Sequence, residues 1–175
     1  MRNLKIVTIF MLLAAFAIAQ DAPREASPAP DLLTTLQADR SLAIFVTAVQ
    51  SGGMAKMLRE EGPLTVFALS NRAFANLPKE DRETLLTDRA AMHFLLAHYI
   101  VRGLISTGDS LLSARTLVGV KLRTDIRSEG SYVNGAKLNQ ADILCANGVI
   151  QVLDSFDPGL VHDAVATSKT NRKEK

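Results

Sequence analysis

The chain has 175 residues, of which 47% are hydrophobic, and its 20 basic side chains nearly balance its 18 acidic ones. The basic excess lies within residues 1–19, which contain two basic residues and no acidic one, so the other 156 residues are formally neutral. A neutral chain of this length suffices for one domain with its own core and gives no indication of nucleic-acid binding. Cys145 is the single cysteine, which excludes an internal disulfide.

Residues 1–19 have the pattern of a signal peptide. Arg2 and Lys5 precede an uncharged apolar run, and the tripeptide AIA at residues 17–19 forms a cleavage site. A retained membrane anchor is the alternative, but the apolar run is about a dozen residues long and a spanning helix needs roughly 20. We therefore expect a mature chain that begins at residue 20, is secreted or periplasmic, and carries no transmembrane segment.

Residues 20–30, QDAPREASPAP, are small, polar and rich in proline, which predicts a disordered linker. The domain itself is expected to occupy residues 31–160, where apolar residues recur at helical spacing. Asp31, Ser41 and Thr87 are expected to cap three of its helices, since short polar side chains accept hydrogen bonds from the first helical turn. One of the predicted apolar stripes consists of Met92, Leu95, Leu96 and Tyr99.

The stretch TVFALSNRAFANLP, residues 65–78, joins a predicted strand to a short helix. Residues 64–69 form a compact run of apolar and β-branched residues, which is typical of a buried strand. Ser70 is expected to cap the following helix, in which Ala73 and Phe74 share an apolar face. The junction therefore predicts a structural role. The positions that define the motif are Thr65, Val66, Phe67, Ser70, Ala73 and Phe74.

The last third of the domain changes to short alternating strands. Asn134-Gly135 is the strongest hairpin signal in the chain, and a second pair, Asn147-Gly148, precedes the apolar Val149-Ile150. Helices in the first two thirds followed by an antiparallel meander predict an α+β fold rather than a wound parallel sheet. Residues 161–175, which end in SKTNRKEK, are expected to form a solvated, polar and basic tail.

Three segments resemble, in order, the motifs of the fasciclin-like (FAS1) domain, which usually read TVFAPTDEAF, YHV and ADI-x-x-x-NGVIHVID. They are TVFALSNRAFANLP, LLAHYIVRG at residues 95–103, and VNGAKLNQADILCANGVIQVLD at residues 133–154. The resemblance covers about residues 31–160 and implies a wedge of two β-sheets with a layer of helices at one side. It also implies an extracellular or periplasmic protein associated with adhesion and with matrix or polysaccharide contacts.

The chain departs from the family motifs at three positions. Leu69-Ser70 replaces the usual Pro-Thr, which preserves a capping hydroxyl. His98-Tyr99 reverses the order of the Tyr-His pair, and Gln151 stands where the family often has His. The last two changes weaken any transfer of ligand contacts made through imidazoles, and they leave the fold expectation intact.

The resemblance also points to candidate binding residues. In some animal members, an Asp-Ile pair before the last strand and the Tyr-His segment are implicated in integrin contact, which makes Asp142, Ile143, His98 and Tyr99 the candidates. A structural interpretation is favoured for three of these residues. Ile143 is expected to fill the core between the sheets, Asp142 to satisfy a turn backbone, and Tyr99 to close a helical core stripe with its hydroxyl at the edge.

The residue types that could act in catalysis or bind a metal do not occur at the spacings that such sites need. His93 and His98 are five positions apart, whereas a helical zinc pair needs a spacing of four. Cys145 lies among apolar neighbours, which predicts a buried, inert thiol. We therefore expect a protein that is not an enzyme and holds neither a cofactor nor a metal.

The expected function is a non-catalytic interaction module that binds a cell-surface protein or a polysaccharide. One alternative is a carrier of a small apolar ligand, such as a pigment or lipid, in a groove between helices and sheets. Met54, Met57 and Met92 motivate it, because methionine adapts to irregular pockets. A passive structural protein of the cell envelope is a further alternative, and homo-oligomerisation is left open.

Overall fold

The structure is a computed structural model that describes residues 29–106 and 114–173. The predicted signal peptide and most of the predicted linker lie outside these residues. The helices are α1 (Leu32–Ala38), α2 (Ala43–Ser51), α3 (Ala55–Glu60), α4 (Asn71–Ala75), α5 (Lys79–Thr87), α6 (Arg89–Ala97) and α7 (Pro158–Lys173), with a 3-10 turn at Arg40–Leu42. The strands are β1 (Leu64–Leu69), β2 (Ile100–Arg102), β3 (Thr124–Arg127), β4 (Gly130–Val133), β5 (Ala136–Cys145) and β6 (Gly148–Leu153).

The strands form one six-stranded sheet in the order β2-β1-β6-β5-β4-β3. β1 and β6 run parallel, and every other neighbouring pair is antiparallel. β5 pairs with β4 through its first residues and with β6 through the rest, with register shifts between Leu138 and Ile143. The resemblance implied two sheets, whereas the structure has one sheet in which β5 joins β2, β1 and β6 on one side to β4 and β3 on the other. The α+β class is confirmed.

One hydrophobic core holds the strands and helices together. Phe67 of β1, Phe74 of α4 and Ile150 of β6 all belong to it. Every residue of β1 and β6 is buried, which explains why both strands are continuously apolar apart from Thr65 and Gln151. Burial of Phe67 and Phe74 contributes about 1.5–3 kcal/mol each to the free energy of folding.

The strand-to-helix junction is structural, as its sequence predicted. The hydroxyl of Ser70 accepts a hydrogen bond from the backbone N–H of Ala73 at 3.2 Å and so caps α4. The next residue, Asn71, accepts from the N–H of Ile44 at 3.0 Å and donates to the carbonyl of Arg40 at 2.9 Å. The Ser-Asn pair therefore both starts α4 and fixes it to the beginning of α2.

Of the three predicted helix caps, Asp31 is confirmed, whereas Ser41 and Thr87 are wrong. Asp39 caps the 3-10 turn by accepting a hydrogen bond from the N–H of Ser41. Asp88 caps α6 by accepting from two backbone N–H groups of its first turn. In both cases a carboxylate one or two positions from the predicted hydroxyl takes the capping position, because an anion also complements the positive end of the helix.

Both predicted hairpins form, but they use their Asn-Gly pairs differently. Asn134 and Gly135 have φ values of 51° and 81° and make the two-residue turn between β4 and β5. In the second hairpin the turn consists of Ala146 and Asn147, and Gly148 is already the first residue of β6. Gly148 is needed there for close approach to a neighbouring strand rather than for a left-handed backbone.

The prediction of a solvated tail at residues 161–175 is wrong as far as residue 173, because α7 occupies this part of the chain and packs against α5 and α6. Val161, Ala164, Val165 and Ser168 recur at i, i+3, i+4 and i+7 and are buried. The hydroxyl of Ser168 donates to a carboxylate oxygen of Asp88 at 2.5 Å. This buried stripe outweighs the preference of the neighbouring basic residues for solvent.

Candidate functional site

His98 and Tyr99 lie directly after α6 and are buried. His98 is 6% exposed, and its Nδ1 lies 2.8 Å from the carbonyl oxygen of Phe94. Tyr99 is 3% exposed, and its hydroxyl accepts a hydrogen bond from the backbone N–H of Asp157 at 3.0 Å. Tyr99 therefore belongs to the core, as its helical spacing predicted. A contact of either residue with a partner stays a prediction.

The burial of Tyr99 leads to a testable dependence of stability on pH. Burial raises the pKa of its hydroxyl well above the ordinary value of 10.0. Because the unfolded chain loses this proton first, the stabilising contribution is complete below pH 10.0 and is lost as the pH rises further. We expect the free energy of unfolding of the wild type, measured by denaturant titration, to fall more steeply above that pH than that of Tyr99→Phe. Tyr132→Phe is the control; equal slopes for wild type and Tyr99→Phe would contradict this prediction.

Asp142 and Ile143 lie at the irregularity of β5. Asp142 is half-buried with a φ of 55°, and its Oδ1 accepts a hydrogen bond from Gln151 Nε2 at 2.7 Å. The Gln151 side chain also accepts from the N–H of Asp142 at 3.1 Å and donates to the carbonyl of Ile105 at 3.1 Å. Ile143 pairs with Ile150 across the sheet and packs partly buried against the core. These contacts support the structural interpretation of both residues, and their role in binding stays a prediction.

A polar cleft of about 510 Å³ lies beside His98, between β3, the segment before it and the start of α7. The turn Asn134-Gly135 forms part of its wall. Its charged and titratable lining side chains are His98, Lys121, Arg123, Asp125, Arg127 and Asp157. Sequence reasoning missed this cleft, although basic and acidic residues at every second position from 121 to 127 were a usable signal for a charged strand face.

The cationic side chains of the polar cleft differ in whether a neighbouring group balances their positive charge. Arg127 Nε donates to Asp125 Oδ2 at 2.7 Å, and its guanidinium lies 4.4 Å from the centre of the Tyr132 ring. The hydrogen bond to Asp125 raises the pKa of Arg127. Lys121 and Arg123 are exposed and form no ion pair with any side chain in the described parts of the chain. The cleft therefore offers two positive charges that form no ion pair among the described residues, against the one carboxylate of Asp157, which accepts a hydrogen bond from the N–H of Gly159.

A second depression, the apolar groove, lies between α4, α5 and α7 and has a volume of about 510 Å³. Its polar lining residues are Asn76, Asp81, Ser155, His162 and Lys169. The methionines that motivated the carrier hypothesis are not part of its lining, since Met54 and Met92 are in the core. The apolar side chains that line it are Ala73, Leu77, Pro78, Phe156, Val161 and Val165.

The side chains that the sequence offered for chemistry are the potential metal ligands and Cys145. Among the described residues, no group of three or more His, Cys, Asp or Glu side chains could hold a metal ion. Cys145 is half-buried and its thiol donates to the hydroxyl of Thr35 at 3.3 Å. Burial raises the pKa of this thiol, which lowers the fraction of reactive thiolate.

Among the described residues, no single helix is long and apolar enough to cross a membrane. The pair Leu32–Ala38 and Arg40–Ser51 reaches the required length and composition only when taken together, and it is bent by 101°.

Comparison with known proteins gives a consistent family assignment. A family model described as "Fasciclin domain" matches residues 40–156. Transforming growth factor-beta-induced protein ig-h3 of Sus scrofa is 29% identical over 130 residues, which are 73% of this chain and 19% of that protein. Protein sll1735 of Synechocystis, described as uncharacterized, is 30% identical over 128 residues, 72% of this chain and 96% of that protein. The chain thus spans about a fifth of the animal relative and nearly all of the bacterial one.

A solved structure has the same fold. It is a FAS1 domain pair from the insect cell adhesion molecule Fasciclin I, and it matches with a TM-score of 0.65 and 14% sequence identity. The match covers 77% of this chain and 53% of that one. Helices α1 and α7 lie entirely outside residues 40–156, yet residues of both belong to the same core.

Proposed function

The chain belongs to the fasciclin domain family, and we propose that it acts as an exported, non-catalytic interaction module that binds a cell-surface, matrix or polysaccharide partner. The family assignment and the origin of the solved domain pair in a cell adhesion molecule support this proposal. The described part of the chain offers a binding surface in the polar cleft and no cluster that could hold a metal ion. We expect such a module to work by surface complementarity with its partner.

The polar cleft carries the proposal, because it combines exposed positive charge with exposed apolar side chains. Lys121 and Arg123 line it, and Val120, also in its lining, is exposed next to the exposed Val118. Such a mixture favours a partner with acidic groups on an otherwise uncharged framework, as in an acidic polysaccharide or the acidic face of a surface protein. The partner is thus expected to be anionic where it enters the cleft.

Reversal of both charges should weaken binding to an acidic polysaccharide. We expect the mature chain to be retained on an immobilised acidic polysaccharide or on envelope fractions, and retention to fall as salt screens the charges. The double variant Lys121→Glu, Arg123→Glu should bind at least about tenfold more weakly, because two attractive contacts become repulsive. Surface plasmon resonance on acidic and neutral polysaccharides measures both effects.

Two further variants test whether a loss of binding comes from the cleft itself, from the change in net charge or from a loss of folding. Lys56→Glu combined with Lys79→Glu makes the same charge change on exposed helical positions outside the cleft and should leave binding unchanged. Asp142→Ala tests the family's Asp-Ile position. If it unfolds, Asp142 is a scaffold residue, and if it folds but fails to bind, Asp142 belongs to the binding site. Retention of nothing above background on any surface would favour the passive structural alternative and contradict the proposal.

One observation supports the carrier hypothesis, namely the apolar groove between α4, α5 and α7. Its volume of about 510 Å³ suits a small apolar ligand such as a pigment or lipid fragment. Under this hypothesis, purified protein should carry a ligand detectable by native mass spectrometry or by its absorbance. Val165→Phe should fill the groove and abolish that ligand, and a ligand-free wild type would exclude the carrier function.

A further inference from the structure

β3 is one edge of the sheet, and in the described parts of the chain no strand pairs with its outer side. The carbonyl of Arg123, just before β3, accepts a hydrogen bond from the N–H of Asn134. Because the direction of backbone hydrogen bonds alternates along an antiparallel strand, the N–H and C=O groups of Arg123, Asp125 and Arg127 face β4. The corresponding groups of Ile126 therefore face outward and are available to another strand.

The side chains along this edge have an alternating pattern. Ile126 is 81% exposed, which is the highest value among the exposed large hydrophobic residues. On the opposite face of the strand, the charges read plus, minus, plus for Arg123, Asp125 and Arg127. An exposed edge strand with an apolar residue at its centre is a template for strand pairing.

We propose that a second copy of this chain pairs with β3 as an antiparallel strand, with the two-fold axis at Ile126. In this register Ile126 of one copy lies opposite Ile126 of the other, and their outward backbone groups exchange two hydrogen bonds. Asp125 of each copy lies opposite Arg127 of the other, which gives two pairs of opposite charge across the axis. The strand is therefore complementary to itself.

Other arrangements of the same two strands are disfavoured by charge. An axis at Asp125 or at Arg127 would place identical charges opposite each other, and it would need backbone groups that already face β4. A parallel pairing in register would also place each charge opposite its own copy. The antiparallel register centred on Ile126 instead places Asp125 of each copy opposite Arg127 of the other, so the facing charges are opposite in sign. The two-fold symmetry also closes the contact, so a dimer forms rather than a fibre.

Such a dimer would give a single-domain chain two binding surfaces. A bivalent module gains avidity for a repetitive partner such as a polysaccharide, since the second contact becomes intramolecular. The dimer itself rests only on the geometry of β3, so it can fail or succeed independently of the proposed function.

Analytical ultracentrifugation of the mature chain across the micromolar range tests the proposal. We expect a concentration-dependent monomer–dimer equilibrium for the wild type. Ile126→Lys should weaken it at least about tenfold, because it replaces the central apolar pair by like charges. Arg127→Glu and Asp125→Arg should each be monomeric alone, since each makes the facing charges identical. Mixed in equal amounts, these two variants should form a heterodimer, because opposite charges face each other again.

The mixing experiment keeps the test independent of any local effect of the substitutions on the hairpin. Circular dichroism confirms that each variant is folded before sedimentation. Leu144→Lys is the matched control, because Leu144 is 72% exposed on β5, away from the free edge, and this variant should dimerise like the wild type. A wild type that stays monomeric, a dimer unaffected by Ile126→Lys, or a failure of the mixture to associate would each overturn the proposal.

Discussion

Gly148→Ala is expected to destabilise the fold by about 3 kcal/mol or more. A Cβ atom at this position would lie 2.1 Å from the carbonyl oxygen of Leu64 and 2.8 Å from Cδ1 of Leu32. Gly148 pairs with Leu64 where β6 runs parallel to β1 in the middle of the sheet, so relief of the clash must separate two central strands. Chemical denaturation followed by circular dichroism measures the loss.

Gly135→Ala is the matched control for this prediction. Gly135 has a φ of 81°, but a Cβ atom there would meet nothing within 4 Å. The substitution should therefore reduce stability only by the strain of a left-handed alanine, about 1–2 kcal/mol. If the two variants lose equal stability, close approach is not the reason for glycine at position 148.

Asn147→Ala is expected to reduce the free energy of unfolding by about 2–4 kcal/mol, because three hydrogen bonds are lost together. Asn147 Oδ1 accepts from the backbone N–H of Leu32 at 2.8 Å, at the start of α1. Its Nδ2 donates to the carbonyls of Leu58 at 3.0 Å and of Glu61 at 2.8 Å, at the end of α3. One side chain thus joins two helices to the turn between β5 and β6.

Asn139→Ala provides the comparison, because Asn139 is exposed on β5 and should change stability by less than about 0.5 kcal/mol. Hydrogen exchange adds a second readout for Asn147→Ala, since the amides of α1 should lose protection more than those of α6. Uniform loss across the domain, or a change no larger than that of Asn139→Ala, would contradict the role assigned to Asn147.

The parts of the fold that sequence reasoning recovered are those set by short-range patterns. The apolar run of β1, the hydroxyl of Ser70 and the Asn134-Gly135 turn each specify local structure through neighbouring residues. Each pattern fits one backbone conformation much better than its alternatives, so the structure reproduces it. The segregation of helices and strands followed in the same way from the change of hydrophobic period.

Two of the three failed predictions show how a stronger local partner or a longer pattern was overlooked. Asp88 rather than Thr87 caps α6, since the Asp88 carboxylate can also accept a hydrogen bond from the Ser168 hydroxyl of α7. The end of the chain was judged by its charge, whereas the apolar stripe that begins at Val161 determines its burial. A helical-period search continued past residue 160 would have found α7.

The polar cleft could not be predicted from the sequence, because its lining comes from three distant parts of the chain. His98 follows α6, Arg123 precedes β3 and Asp157 precedes α7. Only the mixed sheet and the packing of α7 bring these residues together. The alternation of charge from Lys121 to Arg127 was visible in the sequence, but a charged strand face predicts solvent exposure and does not by itself predict a cavity.

Hydrogen–deuterium exchange of a chain that begins at residue 20, with and without a saturating acidic polysaccharide, tests the proposed binding surface most directly. We expect slower exchange in residues 115–127 and at the Asn134-Gly135 turn when the polysaccharide is bound, and no such change in the Lys121→Glu, Arg123→Glu variant. Protection confined to the groove between α4, α5 and α7, or unchanged exchange throughout the chain, would contradict the assignment of the polar cleft as the contact surface.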